Sequence, residues 1–132
     1  MREILFRAKR KNNGEWVDGY VTRICHSNGN EVKSYYFNAR DELGFVAECV
    51  VDADTVGQYT GLTDKNGKKI FEGDIVKCGG NLVVTWNEKS AGWCLTKEGW
   101  AYKHFFGEAC EPKDCEVIGN IFDSPGLIGG AG

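Results

Sequence analysis

The sequence lacks any long run of apolar residues, and this absence limits where the protein can reside. No segment approaches the run of about 18 apolar residues that a membrane-spanning helix needs. The first residues, MREILFRAKRKNNG, hold a short apolar patch that Arg7 interrupts, so no secretory signal is recognisable. We therefore expect a cytosolic protein that has no membrane partner.

The sequence also has few of the residues and motifs on which most catalytic sites are built. The chain has two histidines, no Gly-x-Ser-x-Gly elbow, and no lysine after the Gly-Gly-Asn of residues 79–81 that would make a phosphate loop. Cys25 and His26 are adjacent, so on a strand they face opposite sides and make a poor thiolate–imidazole pair. His104 could pair with a cysteine only through the tertiary fold. We therefore predict a protein that is not an enzyme and that needs no cofactor.

The cysteines form no Cys-x2-Cys pair, although there are six of them, at positions 25, 49, 78, 94, 110 and 115. Cys110 and Cys115 enclose four residues, which is a wider spacing than a zinc knuckle uses. An even cysteine count indicates disulfides only in an oxidising compartment. Without a secretion signal we expect reduced thiols that serve as small, half-buried apolar side chains.

What the sequence has in abundance are glycines, aromatic residues and short alternating runs, and these favour an all-β fold with at most minor helix. EILFRAKRKNNGEWVDGYVTRI reads as a hairpin that turns at Asn-Asn-Gly. SYYFNA, FVAECVVD and CEVIGNIF read as single strands. GGNLVVTW and WCLTKEG read as a second hairpin. We predict an N-terminal β-subdomain (1–54), a small SH3-like barrel (55–125) and a flexible tail (126–132).

The most patterned stretch is VGQYTGLTDKNGKKIFEGDIVK, residues 56–77, which contains two turn signals. Asp64 can accept a hydrogen bond from the backbone two residues on, and Asn66-Gly67 suits a type I′ turn. Glu72 and Asp74 flank Gly73 and read as an exposed turn before a strand. The alternative is a metal-dependent enzyme in which Asp64, Glu72 and Asp74 gather around a divalent ion.

Two groups of residues are candidates for an interaction surface. The net charge of −3 gives no general attraction to nucleic acid. The first hairpin is nevertheless locally basic, through Arg7, Lys9, Arg10 and Lys11, which either contact phosphates or protect a β edge. Trp86 and Trp93 flank the loop of the second hairpin. Together with the Tyr35-Tyr36-Phe37 run, they supply either core and interface filler or a binding platform.

Three segments of the sequence resemble the YopX proteins, a family encoded by phages and prophages. The similarity lies in VGQYTGLTDKNGKKIFEGDIV, in the N-terminal ILFRAKRKNNGEWVDGYV and in the C-terminal EVIGNIFDSP, so it spans nearly the whole chain, from Arg2 to Pro125. One departure is DADTVGQ, where the family often places a proline before the TVGQ run. The resemblance implies a mostly β fold with an SH3-like C-terminal part, a phage origin and a tendency to form rings or oligomers. It carries over no catalytic residues.

The leading hypothesis is thus a phage-encoded, self-associating binding protein that works in the cytoplasm of a bacterial host. Its partner would be a host or phage macromolecule, held by the Trp86 and Trp93 hairpin and an exposed β edge. The alternative is a nucleic-acid-binding accessory protein of phage replication or regulation that uses the basic residues of the first hairpin.

Overall fold

The computed structural model describes residues 4–26, 32–40, 46–97, 100, 104–106, 108 and 110–128, with the backbone alone for residues 24–26, 32–33, 40 and 46. Its strands are β1 (Phe6–Lys9), β2 (Trp16–His26), β3 (Val32–Arg40), β4 (Val46–Asp52), β5 (Gly57–Thr63), β6 (Lys69–Phe71), β7 (Asp74–Lys77), β8 (Asn81–Asn87), β9 (Gly92–Thr96), β10 (His104–Phe105) and β11 (Glu116–Asn120). Short 3₁₀ turns span Ala53–Thr55, Pro112–Asp114 and Pro125–Leu127. None of the helical elements in the described ranges is long enough to cross a membrane.

The strands form two antiparallel sheets, which confirms the predicted all-β class. The orders are β4-β3-β2-β1-β5-β6 and β10-β9-β8-β7-β11. The chain divides into two compact units, Met1–Tyr59 and Thr60–Gly132. Strand β5 begins in the first unit and ends in the second, so the division lies inside a strand and a few residues after the expected boundary at 54.

The first unit is built on the predicted hairpin of β1 and β2. Ala8 pairs with Val17, and the turn closes where Gly14 N donates to Arg10 O at 2.9 Å. Alternation places Ala8 on the buried face, where it packs with Phe37 and Val51 at 0% exposure. After the hairpin's first strand, the backbone of Arg10 bridges that of Val51 in β4. The first unit therefore has its own small core.

The second unit contains the second predicted hairpin, β8 and β9, packed in a larger core. Buried members of this core are Ile70, Val76, Leu82, Val84, Leu95, Cys110, Cys115 and Val117. The described strands do not close into a barrel, so the predicted SH3-like barrel is not confirmed. Part of the predicted tail contacts the second unit, because Leu127 O accepts from Asn81 Nδ2 at 2.9 Å; its flexibility stays a prediction. Residues 129–132 lie outside the described ranges.

The turn between β5 and β6 is organised by one buried side chain, that of Asp64. Its Oδ1 accepts from Asn66 N and from Lys68 N, both at 2.9 Å, as the Asx-turn prediction required. Its Oδ2 accepts from Val117 N in the edge strand β11, also at 2.9 Å. The predicted type I′ turn is wrong, because of these residues only Gly67 has positive φ, at 78°. Since type I′ needs positive φ at both central residues, Asn66 rules it out.

The Glu72-Gly73-Asp74 turn is more deeply buried than the predicted exposed turn. Gly73 has φ of 88°, donates to Val84 O and accepts from Ile121 N, both at 2.9 Å. Asp74 is 1% exposed, and its Oδ2 accepts from Phe71 N at 2.8 Å. The exposed-turn prediction is therefore wrong for Asp74, whose carboxylate closes the turn from inside the unit.

Replacing Asp64 by Asn should destabilise the second unit by about 1–3 kcal/mol, because one carboxylate oxygen becomes an amide that cannot accept. Whichever way the amide is oriented, a buried N–H of the turn or of Val117 then faces a donor. Urea unfolding monitored by tryptophan fluorescence measures the loss. Asp114→Asn is the matched control, since it removes the same charge from an exposed carboxylate of the same unit. Equal stability of the two variants would contradict the role given to Asp64.

The same carboxylate should make stability depend on pH. Burial alone raises the pKa of Asp64, but hydrogen bonds from Val117, Lys68 and Asn66, with the charge of Lys68, outweigh it and hold the pKa below its ordinary value. A lowered folded pKa gives stability that is complete above the unfolded value of about 3.9 and is lost as pH falls through the lower folded value.

The free-energy gap between the unsubstituted protein and Asp64→Asn should therefore be constant near neutral pH and should narrow in acid. Denaturant titrations at pH 7, 5, 4 and 3 test this, and other carboxylates cancel because both proteins contain them. A gap that stays constant to pH 3 would show that Asp64 does not titrate as proposed.

Candidate functional site

The residues predicted to form an interaction surface belong to two different units. The first unit holds Arg7, Lys9, Arg10 and Lys11, and the second holds Trp86 and Trp93. Each group is therefore a separate candidate within its own unit.

Two cations of the basic hairpin make cation–π contacts with an aromatic residue of the same hairpin. The Arg7 guanidinium carbon lies 4.8 Å, and the Lys9 ammonium 5.4 Å, from the centroid of the Trp16 ring. Both cations occupy the surface where a base would have to stack on Trp16. Arg10 is half-buried, and Lys11 is the exposed member of the group. The four basic residues are thus present on the hairpin, but two of their side chains, those of Arg7 and Lys9, already contact Trp16 of the same chain.

The Tyr35-Tyr36-Phe37 run does not form a platform of its own. Phe37 is fully buried in the core of the first unit, and Tyr35 packs against that core. The guanidinium of Arg23 lies 4.1 Å from the centroid of the Tyr36 ring. These rings serve packing and a cation–π contact, as the filler interpretation predicts.

Trp86 and Trp93 form an aromatic pair at the end of the second hairpin. They are directly opposed in the β8–β9 ladder, with ring centroids 5.0 Å apart and planes at 68°, an edge-to-face arrangement. Trp93 packs against the core of the second unit, whereas Trp86 is 38% exposed. Alternation along the strand explains this: Trp86 continues the inward face that carries Val84, but it lies where the core ends. The exposed indole of Trp86 therefore packs on Trp93, which in turn packs on the core.

An open groove of about 550 Å³ runs beside Trp86. It is lined by Glu72, Trp86, Asn87, Glu88 and Lys89. Asn87 Oδ1 accepts from Lys89 N at 3.1 Å, which folds the loop that presents Glu88. Two acidic residues and one basic residue are among those that line the groove. The groove combines an exposed aromatic face with acidic neighbours.

The carboxylates weighed as a metal site do not form one among the described residues. All three hydrogen bonds recorded for the Asp64 side chain go to backbone N–H groups, and Asp74 Oδ2 is similarly engaged. Glu72 lines the groove instead. No group of three His, Cys, Asp or Glu side chains suited to a metal occurs within the described ranges. Asp64 and Asp74 are therefore structural groups.

His104 pairs with a carboxylate and a ring. Its Nδ1 lies 2.9 Å from Glu108 Oε1, and its ring meets Trp100 edge-to-face with centroids 5.0 Å apart. The side chains of Cys25 and His26 lie outside the described residues.

The expectation of reduced thiols is wrong for one pair of cysteines. Cys78 and Cys110 form a disulfide, with Cα atoms 6.4 Å apart. Because β11 pairs with β7, the segment that leads into β11 passes the end of β7, where Cys78 lies. A separation of 32 residues concealed this proximity in the sequence. The pairing also removes Cys110 from any metal site with Cys115.

The cysteines Cys49, Cys94 and Cys115 are not part of a disulfide. Cys94 and Cys115 are buried and Cys49 is half-buried, in agreement with their expected role as small apolar side chains. Burial raises the pKa of the Cys115 thiol, and the nearby Asp64 carboxylate raises it further. Cys115 is thus poorly disposed to act as a nucleophile.

Sequence reasoning found Trp86 but missed the acidic residues around it. The sequence groups Glu72 with Asp64 and Asp74, and it places Glu88 in the loop between Trp86 and Trp93. A signal existed in the loop sequence Trp-Asn-Glu-Lys, because an acidic residue follows the indole closely. That Glu72 lines the same groove depends on the turn that docks on β8, which only the tertiary structure shows.

Comparisons with known proteins agree with this architecture. The family described as YopX protein matches residues 5–129. The chain is also similar to protein EF1440 from Enterococcus faecalis, whose crystal structure superposes with a TM-score of 0.54 at 20% identity, over 98% of this chain and 100% of that one. At that identity the likeness concerns the fold. The comparison with curated proteins found no match. Because the family match covers nearly the whole chain, the protein belongs to the YopX family.

Proposed function

We propose that this YopX protein is a non-enzymatic binding module that holds a macromolecule at the groove beside Trp86. The observation that carries the proposal is a 38% exposed indole forming the wall of a groove of about 550 Å³. Exposed aromatic anchors beside a depression are the residues that most often dominate binding energy. A groove of this kind suits recognition of a side chain on another molecule.

The edge-to-face packing on Trp93 supports this function. A side chain that is already held in place loses little conformational entropy when a partner covers it, so more of the contact energy appears as affinity. Trp93 itself packs on the core of the second unit, which fixes the pair to the sheet. The hairpin thus offers a preorganised contact.

The engaged carboxylates also favour binding over catalysis. General acid–base chemistry needs a group that can reach a substrate proton, whereas Asp64 is held by three backbone N–H groups. The acidic residues that line the groove, Glu72 and Glu88, lie beside an exposed indole in an open depression. Such a depression does not exclude water from a reaction.

The setting we propose is the cytoplasm of a bacterial host, with the protein encoded by a phage or prophage and self-associating through an exposed sheet edge. The family membership supports this setting, and β4, in which Ala47 and Glu48 are exposed, is an edge strand of the first sheet. Light scattering after size exclusion should give a mass above that of one 14.6 kDa chain. A strict monomer at all concentrations tested would contradict self-association.

Substituting Trp86 by Ala should abolish capture of the partner from phage-infected cells. The tagged protein, purified with and without nuclease treatment, is compared with the variant. Tyr20→Ala is the matched control, because Tyr20 is also an exposed aromatic residue, at 49%, but lies in the first unit. We expect capture to survive nuclease and Tyr20→Ala, and to fail with Trp86→Ala.

Undiminished capture by Trp86→Ala would refute the groove as the binding site. Loss of capture on nuclease treatment alone would favour the nucleic-acid alternative, and neutralising Arg7, Lys9, Arg10 and Lys11 would then reduce binding and its salt dependence.

A further inference from the structure

The disulfide between Cys78 and Cys110 belongs to a protein whose proposed setting is a reducing one, the cytoplasm of a bacterial host. Cytoplasmic thiols keep most protein disulfides open, and the disulfides that do form there usually serve catalysis or redox sensing. We propose that this bond is a reversible redox switch, which a dithiol reductant opens at Cys78 and whose opening destabilises the second unit. The inference rests on the proposed setting for its reductant, and it is independent of the groove beside Trp86.

Cys78 is the accessible end of the bond. It is half-buried, whereas Cys110 is 7% exposed. The residues on either side of Cys78, Lys77 and Gly79, are exposed, and Cys78 N donates to Gly80 O at 2.9 Å in a tight turn. Among the described residues, a β-carbon added at Gly79 or Gly80 would meet no atom within 4 Å, so this turn borders open space. Because access helps to set the rate of thiol–disulfide exchange, the attack of a reductant is directed to the Cys78 sulfur.

The reaction is an ordinary exchange between a dithiol and a disulfide. A thiolate of the reductant attacks Cys78 Sγ, the bond to Cys110 Sγ breaks, and Cys110 leaves as a thiolate that takes up a proton. The second thiol of the reductant then attacks the mixed disulfide, which releases and protonates Cys78 and leaves the reductant as a disulfide. Two electrons and two protons have passed to the protein, and a disulfide oxidant such as oxidised glutathione takes them back.

A third cysteine in the same core does not compete for the bond. Cys115 is fully buried in the cluster that contains Cys110 and against which Cys78 packs. Its Sγ donates to Pro112 O at 3.2 Å, and both burial and the Asp64 carboxylate raise its pKa. Since the thiolate and not the thiol is the nucleophile, Cys115 stays inert. The bond that opens therefore re-forms between the same two sulfurs.

Opening the bond weakens the second unit because the bond closes a long loop. Its cysteines are separated by 32 residues, and the loop contains β8, β9 and β10. A cross-link of this kind restricts the unfolded chain, and the restriction grows with the length of the loop. Cys110 also lies in the core cluster with Val117, so the bond ties the segment before β11 to the end of β7 from inside that core. The core of the first unit, around Ala8, Phe37 and Val51, contains neither cysteine.

The first test is the reduction of the folded, full-length protein by dithiothreitol without denaturant. New thiols are alkylated and located by peptide mass, and we expect label on Cys78 and Cys110, none on Cys115, and reversal by oxidised glutathione. With reduced glutathione, the mixed disulfide trapped by acid should lie on Cys78. A bond that opens only in denaturant, or a mixed disulfide on Cys110, would overturn the proposal.

The effect of opening is measured by urea unfolding of the oxidised and the reduced protein. We expect reduction to raise the equilibrium constant for unfolding by about 30- to 1000-fold, the usual range for loss of a disulfide. The double variant Cys78→Ala/Cys110→Ala should unfold like the reduced protein and should not respond to dithiothreitol. Cys49→Ala is the matched control, because it removes a half-buried cysteine that is not part of a disulfide, and it should keep the full response.

The comparison of the two forms of the unsubstituted protein decides the matter even where the double variant does not fold. Equal stability of the oxidised and reduced forms contradicts the switch, and so does a response to dithiothreitol that the double variant retains.

The state of the bond in a bacterial cytoplasm is tested by acid quenching of cells followed by alkylation. We expect the two thiols to be free in untreated cells and joined after treatment with the thiol oxidant diamide. A bond that is closed in both samples, or open in both, overturns the switch. None of these measurements involves a partner, so their failure leaves the groove proposal as it stands, and failed capture at Trp86 leaves the switch as it stands.

Discussion

The second unit depends on the carboxylate of Asp64, which joins two parts of the chain that are far apart in sequence. One oxygen closes the loop after β5, and the other accepts from Val117 N in β11. A sheet edge normally leaves its N–H groups open to other strands. Here one of those groups is satisfied by a buried carboxylate, so the same side chain forms a turn and covers part of an edge. Val117 in turn contributes to the core of the unit.

The turn around Gly73 connects the core of the second unit to the proposed binding groove. Its N–H donates to Val84 O in β8, two residues before Trp86, and its C=O accepts from Ile121 N. A left-handed backbone, which glycine adopts without strain, makes both contacts possible. Asp74 faces inward on one side of the glycine, and Glu72 lines the groove on the other. The groove therefore depends on how the turn docks on β8, and the residue beside the glycine, Glu72, is one of the two acidic residues that line it.

Much of the fold could be predicted because local patterns were consistent with one another. Alternation and turn residues identified both hairpins, and the Trp86–Trp93 pair was predicted as the flanks of one loop. The errors arose where long-range contacts decide. Asn66-Gly67 is compatible with two hairpin turns, and the hydrogen bonds of Asp64 favour the one with positive φ at Gly67 alone. Asp74 is buried because its carboxylate satisfies Phe71 N, which no local pattern reveals. The proximity of Cys78 and Cys110 follows from the pairing of β7 with β11.

The sequence by itself determined that this is an all-β YopX protein with two hairpins, because strand alternation and turn chemistry act over a few residues. It also identified the aromatic pair and the basic run. Only the tertiary structure decided which of these groups is exposed: cations of the first hairpin lie over Trp16, whereas Trp86 is exposed and lines a groove with Glu72 and Glu88. The physical reason is that exposure and charge at a surface depend on side chains brought together from distant parts of the chain.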